Sequence, residues 1–485
     1  MLSAAVFVVI SERNRDCIHT DDRVPRVLTR TDMIQEKDYE SFREDYELVE
    51  VIGTGGFAEI WKVRHKVTGM IRAAKIVKLS TENEYRVFRN EVEVLKKLDS
   101  PYNVRIVASY LSRDRSRPEE RWNSRLGVII YHYIKGSDLL DTINQRIAAK
   151  KKFSEPEIVS ITKQILKALC YVHNCGFLHR DIKPENFIVE MDDSPCGFNL
   201  KIIDFGLSRA STVYTQSNER LSGTWFYSAP ETVSNSYTDK SDVWSVGVII
   251  TMLVSQGTAL IGRSTSMGMA GIKRVRDPDF ISSEIEKLKH RDISPDMIKL
   301  LKRILDPKVS SRISPEDALD DVALVSSSAH NYPKTDALNR WKRSRSDQAS
   351  LPLFAKYMRR LFVHEIDDSE LSRLRYLFRI LDTKARGYVT ITGIVDGSEE
   401  RYGYEEFLST GLDAENVRDR WDVFFKYISG GKNILTLDGL CELFPGLSQD
   451  VVKDMMQSCR PEESLDPQFV MSRDDFERCM NTKIS

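Results

Sequence analysis

Three polar residues in the middle of the chain have the types and the spacing that phosphoryl transfer requires. Asp181 lies in "FLHRDIKPENFIV", Asn186 follows five residues later, and Asp204 lies 23 residues after Asp181 in "KIIDFGLSR". Phosphoryl transfer needs a carboxylate that orients and deprotonates a hydroxyl, oxygen ligands for Mg²⁺, and cations along the phosphates. Asp181 suits the first task, and the side-chain oxygens of Asn186 and Asp204 are hard ligands suited to Mg²⁺. Lys183 supplies positive charge beside them.

A strand-rich region upstream could bring further groups to the same phosphates. Gly53 and Gly55 lie between two β-type runs in "VIGTGGFAEIWKV", and glycine lets backbone N–H groups approach phosphate oxygens closely. Lys75 lies in the β-type run "IRAAKIVKL", and Glu91 lies on the apolar stripe of the amphipathic helix predicted for "ENEYRVFRNEVEVLKKL". A buried carboxylate needs a partner, so we expect Lys75 to pair with Glu91 and to present its ammonium to a phosphate. The simpler alternative is a surface lysine and a glutamate at a helix edge.

Taken together, these motifs resemble those of the eukaryotic protein kinase family over about residues 46–323. The matching elements, in the family's order, are the glycine loop, "AAK" (73–75), Glu91, "HRDIKPEN" (179–186), "DFG" (204–206) and "APE" (229–231). The resemblance implies an α+β, bilobal kinase fold that uses ATP and Mg²⁺. It makes Asp181 the base, Lys75 and Glu91 the pair that aligns the phosphates, and Asn186 and Asp204 the metal ligands. Lys183, two places after Asp181, and Thr224 before "APE" are typical of the serine/threonine branch.

The same resemblance places the nucleotide and the protein substrate. Tyr131 takes the gatekeeper position behind the adenine, and His132 and Tyr133 begin the hinge between the lobes. The implied nucleotide-binding residues are Ile52, Gly53, Gly55, Ile60, Ala73, Lys75, Tyr131, Tyr133 and Asp138. Glu185 and Asp138 together suggest protein substrates with an Arg upstream of the target hydroxyl. Arg312 is the implied partner of Glu231.

Two positions depart from the family pattern, and one segment leaves alternatives open. Ala58 replaces the third glycine of the loop, so we expect a stiffer loop that retains ATP binding, and His132 replaces the usual hinge Glu. The activation segment, 204–231, contains hydroxyl residues that could be phosphorylated: Ser211, Thr212, Tyr214, Thr215 and Ser217. Glu219 is an alternative, as a permanent negative charge for Arg180.

The composition excludes several other classes of protein. The 71 Lys and Arg nearly balance the 72 Asp and Glu, so no global charge points to nucleic acid or to a membrane surface. The opening "MLSAAVFVVI" is too short to span a bilayer, and the mostly apolar twelve-residue run 243–254 predicts a buried helix instead. Seven scattered cysteines without a CxxC pair predict reduced thiols and a cytoplasmic protein.

A basic region follows the kinase-like part. Residues 324–350 are polar and rich in turn formers, which predicts a linker, and residues 334–360 carry eight Lys or Arg against two Asp. Within them "LPLFAKYMRRLF" predicts a basic amphipathic helix of the type that lies in a partner's groove. A solvated charged linker followed by one core helix is the alternative. We predict an N-terminal extension (1–45), a kinase domain (46–323), a basic junction (324–368) and an all-α, EF-hand-like domain (369–485).

Residues 382–393 have the outline of an EF-hand calcium loop without its ligands. Asp382 and Gly387 match positions 1 and 6, but Lys384 and Arg386 occupy positions 3 and 5, where calcium needs oxygen. Each cation about 4 Å from Ca²⁺ would repel it by roughly 8 kcal/mol at an effective dielectric constant near 20. The layout resembles calcium-dependent protein kinases of plants and protists, yet the ligands predict weak or absent calcium binding. We therefore expect the loops to act as a scaffold and the C-terminal region to regulate the kinase through the junction helix. The alternative is a pseudokinase-like scaffold that recruits partners through its EF-like groove.

Overall fold

The computed structural model describes most of the chain. The described ranges are 30–55, 58–112, 125–190, 199–210, 225–234, 236–257, 274, 276–325, 334–349, 351–366, 371–392, 399–412, 421–444, 447–459 and 470–481. The charged insert 114–124, the apolar opening and the activation-segment residues Ser211, Thr212, Tyr214, Thr215, Ser217, Glu219 and Thr224 lie outside them. Across the described ranges, no helix is both long and apolar enough to cross a membrane.

The first lobe is a six-stranded sheet with one long helix on its face. Its strands are β1 (Gln35–Asp38), β2 (Tyr46–Thr54), β3 (Ala58–His65), β4 (Ile71–Leu79), β5 (Ile106–Leu111) and β6 (Arg125–His132), in the spatial order β1-β5-β6-β4-β3-β2. Two short helices, α1 (Arg30–Met33) and α2 (Tyr39–Asp45), precede the sheet, and α3 (Glu82–Lys97) packs on it. Helix α3 starts in a capping box, because Thr81 and Glu84 each accept a hydrogen bond from the other's backbone N–H.

Residues 30–45 are more ordered than their sequence predicts. Their β1 pairs parallel with β5, and Phe42 of α2 is buried against Tyr46 and Tyr110 on one face of the sheet. Glu36 of β1 forms ion pairs with Arg89 and Lys96 of α3. No helical or strand period marks these residues because tertiary contacts, rather than a repeating apolar face, hold them.

The second lobe is mainly helical. Its helices are α4 (Leu139–Ala148), α5 (Glu155–Asn174), α6 (Asp239–Ser255), α7 (Pro278–Glu286), α8 (Pro295–Ile304), α9 (Pro315–Leu319) and α10 (Val322–Val325). Its strands are β7 (Gly136–Asp138), β8 (Phe177–Leu178), β9 (Phe187–Glu190), β10 (Asn199–Ile202) and β11 (Arg209–Ala210). The apolar run 243–254 lies in α6 and is buried along almost its whole length, as predicted. The two lobes confirm the bilobal α+β kinase fold.

The C-terminal region forms its own helical domain with a separate hydrophobic core. It contains α11 (Lys334–Ala349), α12 (Leu353–Glu365), α13 (Ser372–Leu381), α14 (Tyr404–Gly411), α15 (Trp421–Ile428), α16 (Leu437–Leu443), α17 (Gln449–Gln457) and α18 (Arg473–Asn481). Two short antiparallel pairs join these helices, β12 (Tyr388–Thr392) with β13 (Glu399–Gly403) and β14 (Ile434–Thr436) with β15 (Val470–Ser472). Helix α12 includes the predicted junction helix.

The prediction of a linker over 324–350 is wrong for residues 334–349, which form α11. One aromatic residue explains the difference: Trp341 is buried, stacks on Phe407 at a centroid distance of 4.8 Å, and donates its indole N–H to the Phe407 carbonyl at 2.9 Å. The apolar residues of α11 that reach the core, Trp341 with Ala337 and Leu338, span only about one turn, too few for the periodic stripe by which a helix is recognised in sequence.

The prediction that all cysteines are free thiols is also wrong. Cys459, which follows α17, and Cys479 in α18 form a disulfide across 20 residues of sequence. The pair has no recognisable spacing because packing of the two helices, rather than a local motif, brings the sulfurs together. Cys170, Cys175 and Cys441 are free among the residues described.

Candidate functional site

A cleft of about 710 Å³ lies between the two lobes and gathers the charged residues of the sequence motifs. Lys75, Glu91, Asp181, Lys183 and Asp204 all line it. These five residues come from β4, α3 and the loops that flank β9 and β10, so residues up to 129 positions apart in sequence meet in one site. The predicted grouping of these side chains is what the fold produces.

On the sheet side of the cleft, Lys75 is the centre of an ion-pair cluster. Its ammonium donates to both Glu91 carboxylate oxygens, at 2.9 and 2.8 Å, and to Asp204 Oδ1 at 3.0 Å. Glu91 is only 2% exposed, as its place on the apolar stripe of α3 predicts. The alternative of a surface lysine and a helix-edge glutamate is therefore excluded.

Burial and charge act against each other on the protonation of this cluster. Burial alone would raise the pKa of Asp204, but the Lys75 ammonium outweighs it and lowers that pKa to about 2. Burial would lower the pKa of Lys75, yet Glu91 and Asp204 raise it on balance. Burial raises the pKa of Glu91, and Lys75 opposes that shift. At neutral pH the cluster holds an ammonium and an ionised Asp204 facing the cleft.

On the helical side of the cleft, Asp181 is held between two donors. Lys183 Nζ lies 2.7 Å from Asp181 Oδ2, and Asn186 Nδ2 donates to the same oxygen at 3.0 Å and to the Asp181 carbonyl at 2.7 Å. The short 3₁₀ helix Pro184–Asn186 sets this geometry. Because the amide nitrogen of Asn186 is engaged by Asp181, its oxygen is the atom left to act as a ligand.

A buried carboxylate that sequence reasoning did not select holds the loop before Asp181. Asp242 of α6 accepts hydrogen bonds from the backbone N–H groups of His179 and Arg180, at 3.0 and 2.9 Å, and contacts His173 Nε2 at 2.8 Å. Arg180 and Asp204 are non-glycine residues with positive φ, 70° and 60°. Such strain persists only where surrounding contacts enforce it. An acidic residue directly before the mostly apolar run 243–254 was the available signal for Asp242.

The residues predicted to bind the nucleotide do not all line the cleft, and neither does Asn186, a predicted metal ligand. Gly55 and Ala58 line it and close the β2–β3 turn, where the Gly55 N–H donates to the Ala58 carbonyl at 2.8 Å. Ile52, Gly53, Ile60, Ala73, Tyr131, Tyr133 and Asp138 lie outside that lining. In the sheet, Ile60 faces Lys75 across β3–β4 and Ala73 faces Tyr131 across β4–β6. Asp138 also caps α4, accepting from the Asp141 N–H at 2.8 Å.

A buried ion pair supports the helical lobe below the cleft. Arg312 is 1% exposed and donates to both Glu231 carboxylate oxygens, at 2.7 and 3.0 Å. This two-pronged contact joins "APE" to the end of the helical lobe. The pairing implied by the sequence motif is present.

The junction helix α12 ends against the hinge side of the kinase-like part. The last carbonyls of any helix lack intrahelical partners, and in α12 they are satisfied from outside. Arg105 donates to the Val363 carbonyl at 3.0 Å, His132 Nε2 lies 2.7 Å from the His364 carbonyl, and Arg72 donates to the Glu365 carbonyl. Two cations at a helix C-terminus also complement its dipole. His132, the residue that replaces the usual hinge Glu, is thus used to hold this helix.

The groove of the C-terminal domain is filled by the same helix. Phe362 of α12 lies against Trp421 and Phe424 at centroid distances of 4.8 and 5.2 Å, and Phe354 lies 6.2 Å from Phe476. This segment is therefore a packed helix, as both hypotheses for the region predict, and the solvated linker fails only for the charged stretch before it, which forms α11.

The calcium-like loop that begins at Asp382 packs against the kinase-like part. Asp382 accepts from the backbone N–H groups of Arg386 and Gly387, at 2.8 and 2.9 Å, which engages both of its oxygens inside the loop. Lys384 pairs with Asp320, and Ala385 is fully buried in the core of the kinase-like lobes. Gly387 lies against the Tyr171 ring of α5. Lys384, which replaces a calcium ligand, thus helps to dock the loop, together with Ala385 and Gly387.

Comparison with known proteins agrees with this geometry. The family described as protein kinase domain matches residues 46–323, more than half of the 485 residues, and the chain belongs to that family. Serine/threonine-protein kinase CG17528 of Drosophila melanogaster is 30% identical over 311 residues, which are 62% of this chain and 37% of the relative. Calcium-dependent protein kinase 27 of Arabidopsis thaliana is 28% identical over 372 residues, which are 75% of this chain and 71% of the relative.

Serine/threonine-protein kinase GM11705 of Drosophila sechellia is 30% identical over 311 residues, and the match spans little more than a third, 38%, of its length. The resemblance to calcium-dependent protein kinases that the sequence layout predicts is therefore confirmed.

Proposed function

We propose that the protein is an active serine/threonine protein kinase that transfers the γ-phosphate of ATP to protein hydroxyls. The observation that carries this proposal is the convergence of Lys75, Glu91, Asp181 and Asp204 on one cleft. Lys75 would bind phosphate oxygens while Glu91 fixes its direction. Asp181, oriented by Lys183 and Asn186, would accept the proton of the attacking hydroxyl. The similarity to named serine/threonine kinases and Lys183 in "HRDIKPEN" support that branch.

The donor set of the cleft fits a magnesium ion. Asp204 stays ionised because Lys75 lowers its pKa to about 2, and the amide oxygen of Asn186 is available as a ligand because only its nitrogen is engaged by the acceptor oxygens of Asp181. Carboxylate and amide oxygens are the ligands that Mg²⁺ prefers. Bound there, the ion would neutralise phosphate charge. We also propose a cytoplasmic location. The free thiols of Cys170, Cys175 and Cys441 support it, whereas the Cys459–Cys479 disulfide does not.

We propose protein substrates with an Arg upstream of the target hydroxyl. Glu185 lies in the 3₁₀ helix beside Asp181, and within the described part of the chain its buried Oε2 has no hydrogen-bond partner. Burial raises the pKa of Glu185, and the negative charges of Asp138 and Asp181 add to the shift. A substrate guanidinium would satisfy this oxygen and relieve that repulsion. Peptides with Arg, Lys or norleucine upstream of Ser would test this, with Glu185→Gln expected to remove the preference.

The C-terminal domain, in this proposal, supports the kinase without calcium. The end of α12 binds the hinge residue His132. In the calcium-like loop, Asp382 is the one carboxylate at a calcium-ligand position, and both of its oxygens accept hydrogen bonds from the loop's own backbone. The domain division 46–323, 324–368 and 369–485 belongs to the same proposal. Because α12 already covers this aromatic cluster, the part of the domain that the structure describes offers no free groove there for a recruited partner, which disfavours the scaffold alternative.

Two experiments test the proposal. Transfer of labelled phosphate to an Arg-containing peptide is measured for the wild type and for Asp181→Asn, with Mg²⁺ present. Loss of transfer by a factor of about 10³ or more in the variant is expected. Equal background from both proteins would favour the scaffold.

The second experiment measures wild-type activity in calcium and in a chelator, beside titration calorimetry of the full chain with Ca²⁺. Equal activities and no micromolar binding are expected. A calcium-stimulated rate would refute the calcium-free part of the proposal and leave the kinase assignment intact.

A further inference from the structure

We propose that the hydroxyl of Tyr131 is a positioning group for phosphoryl transfer, because it fixes Glu91 against the sheet and thereby aims Lys75. This inference rests on the kinase function proposed above. It goes beyond the gatekeeper position, which concerns the bulk of the Tyr131 ring; the hydroxyl oxygen is the atom at issue here.

Three hydrogen bonds converge on the Glu91 carboxylate. Tyr131 Oη donates to Glu91 Oε1 at 2.8 Å, beside the two bonds from Lys75 Nζ, at 2.9 Å to Oε1 and 2.8 Å to Oε2. Tyr131 is 8% exposed and Glu91 is 2% exposed, so little water reaches the hydrogen bond between them. Oε1 thus bridges Tyr131 and Lys75 in a dry site.

The two residues that donate to Glu91 differ in the other groups they must bind. Lys75 also serves Asp204 at 3.0 Å, and in the proposed function it must turn toward nucleotide phosphates. Tyr131 has no such task. It lies on β6, a central strand paired on both sides with β4 and β5, where its backbone faces Ala73 and Ile106. It therefore ties α3 to the sheet through a contact that the ligand does not compete for.

Charge and burial explain why a hydroxyl is useful at this position. An ionised carboxylate in a dry site needs more than one donor. Burial raises the pKa of the Glu91 carboxyl, and hydrogen bonds from Lys75 and Tyr131 oppose that shift. A Phe at 131 would fill the same volume and leave Glu91 with Lys75 alone. The Lys75 ammonium would then be held less firmly in position when it binds the nucleotide phosphates.

A double-mutant cycle tests the inference in the full chain. Tyr131→Phe, Glu91→Ala and the double variant are assayed for kcat and for the KM of ATP, and for affinity toward a fluorescent ATP analogue. Tyr131→Phe is expected to lower kcat/KM for ATP about tenfold, the usual weight of one hydrogen bond to a buried charge. In the Glu91→Ala background the same change should alter kcat/KM and analogue affinity less than twofold, because the group it acts through is gone.

The matched control is Tyr110→Phe. Tyr110 is a buried tyrosine of the same sheet, and its hydroxyl donates to a carboxylate oxygen, Asp45 Oδ2, at 2.7 Å on the side away from the cleft. Its removal should lower the thermal midpoint like Tyr131→Phe but change kcat/KM less than twofold.

Either of two results would overturn the inference: equal kinetics for Tyr131→Phe and Tyr110→Phe, or an undiminished effect of Tyr131→Phe in the Glu91→Ala background. If wild type transfers no phosphate, the proposed function fails, and the analogue affinities still decide whether Tyr131 acts through Glu91.

Discussion

A single methyl group at Gly387 should loosen the calcium-like loop from the kinase domain. Gly387 has φ +80°, and a Cβ there would lie 2.3 Å from Tyr171 Cε2 and 2.9 Å from Tyr171 Cδ2. The left-handed conformation costs an alanine about 1–2 kcal/mol. Overlap with a ring that is itself packed in the kinase core adds about 1–3 kcal/mol. Gly387→Ala should therefore weaken docking of the loop by roughly 2–5 kcal/mol.

Gly431 provides a control that separates strain from overlap. It has the same φ, +80°, lies in the same domain, and a Cβ there would meet only Val67 Cγ1 at 3.9 Å, an ordinary contact. Gly431→Ala should therefore carry the conformational cost of about 1–2 kcal/mol without the clash.

Hydrogen exchange of the full-length variants reads the effect locally. Peptides that cover residues 382–392 and 163–175 should exchange faster in Gly387→Ala by roughly 30- to 4000-fold, because local opening scales with the lost docking energy. Gly431→Ala should leave these peptides unchanged and affect only residues near 431. Equal protection of both peptides in Gly387→Ala and wild type would refute the docking role assigned to the loop.

Three further predictions follow from other contacts between the parts of the chain. Arg105→Met leaves the Val363 carbonyl without its donor, which should cost about 1–3 kcal/mol of α12 docking and lower kinase activity; unchanged exchange at the end of α12 would contradict this. Burial lowers the pKa of His65 to about 4, so between pH 6.5 and 4 the unfolded state binds more protons than the folded state. The stability that this shift contributes, up to roughly 3 kcal/mol, should be complete above pH 6.5 and should be lost as the pH is lowered toward 4. The thermal midpoint of His65→Phe should lack this loss at low pH, and a parallel loss in the variant would count against the prediction. Glu36→Gln breaks the ion pairs that the exposed Glu36 carboxylate forms with Arg89 and with the largely buried Lys96. Because salt screens that exposed carboxylate, the effect on the thermal midpoint should be small and vanish in 1 M salt, whereas a salt-independent loss would show another role.

Some elements could be predicted because their residues repeat a physical pattern. Helix α3 combines a capping sequence with an apolar stripe, and α6 is apolar all round, so both are recognisable without a structure. Helix α11 is not, since its apolar contacts, from Trp341, Ala337 and Leu338, cover only about one turn. Residues 30–45 gave no period for the same reason. Where one contact or an added edge strand holds a segment, its sequence carries too little repetition to predict it.

The sequence by itself determined which chemical groups the cleft contains. Phosphoryl transfer needs particular side chains, and only certain residue types supply a carboxylate, an amide oxygen or an ammonium, so Asp181, Asn186, Asp204 and Lys75 could be selected in advance. It also determined that Lys384 makes a poor calcium ligand.

Only the tertiary structure decided which part of the kinase domain the C-terminal domain contacts. The hinge is bound to α12 through the backbone carbonyls of Val363, His364 and Glu365, and every residue type has a carbonyl, so no side-chain pattern marks them. The Tyr131–Glu91 bond likewise depends on how far α3 lies from β6, a distance that packing sets.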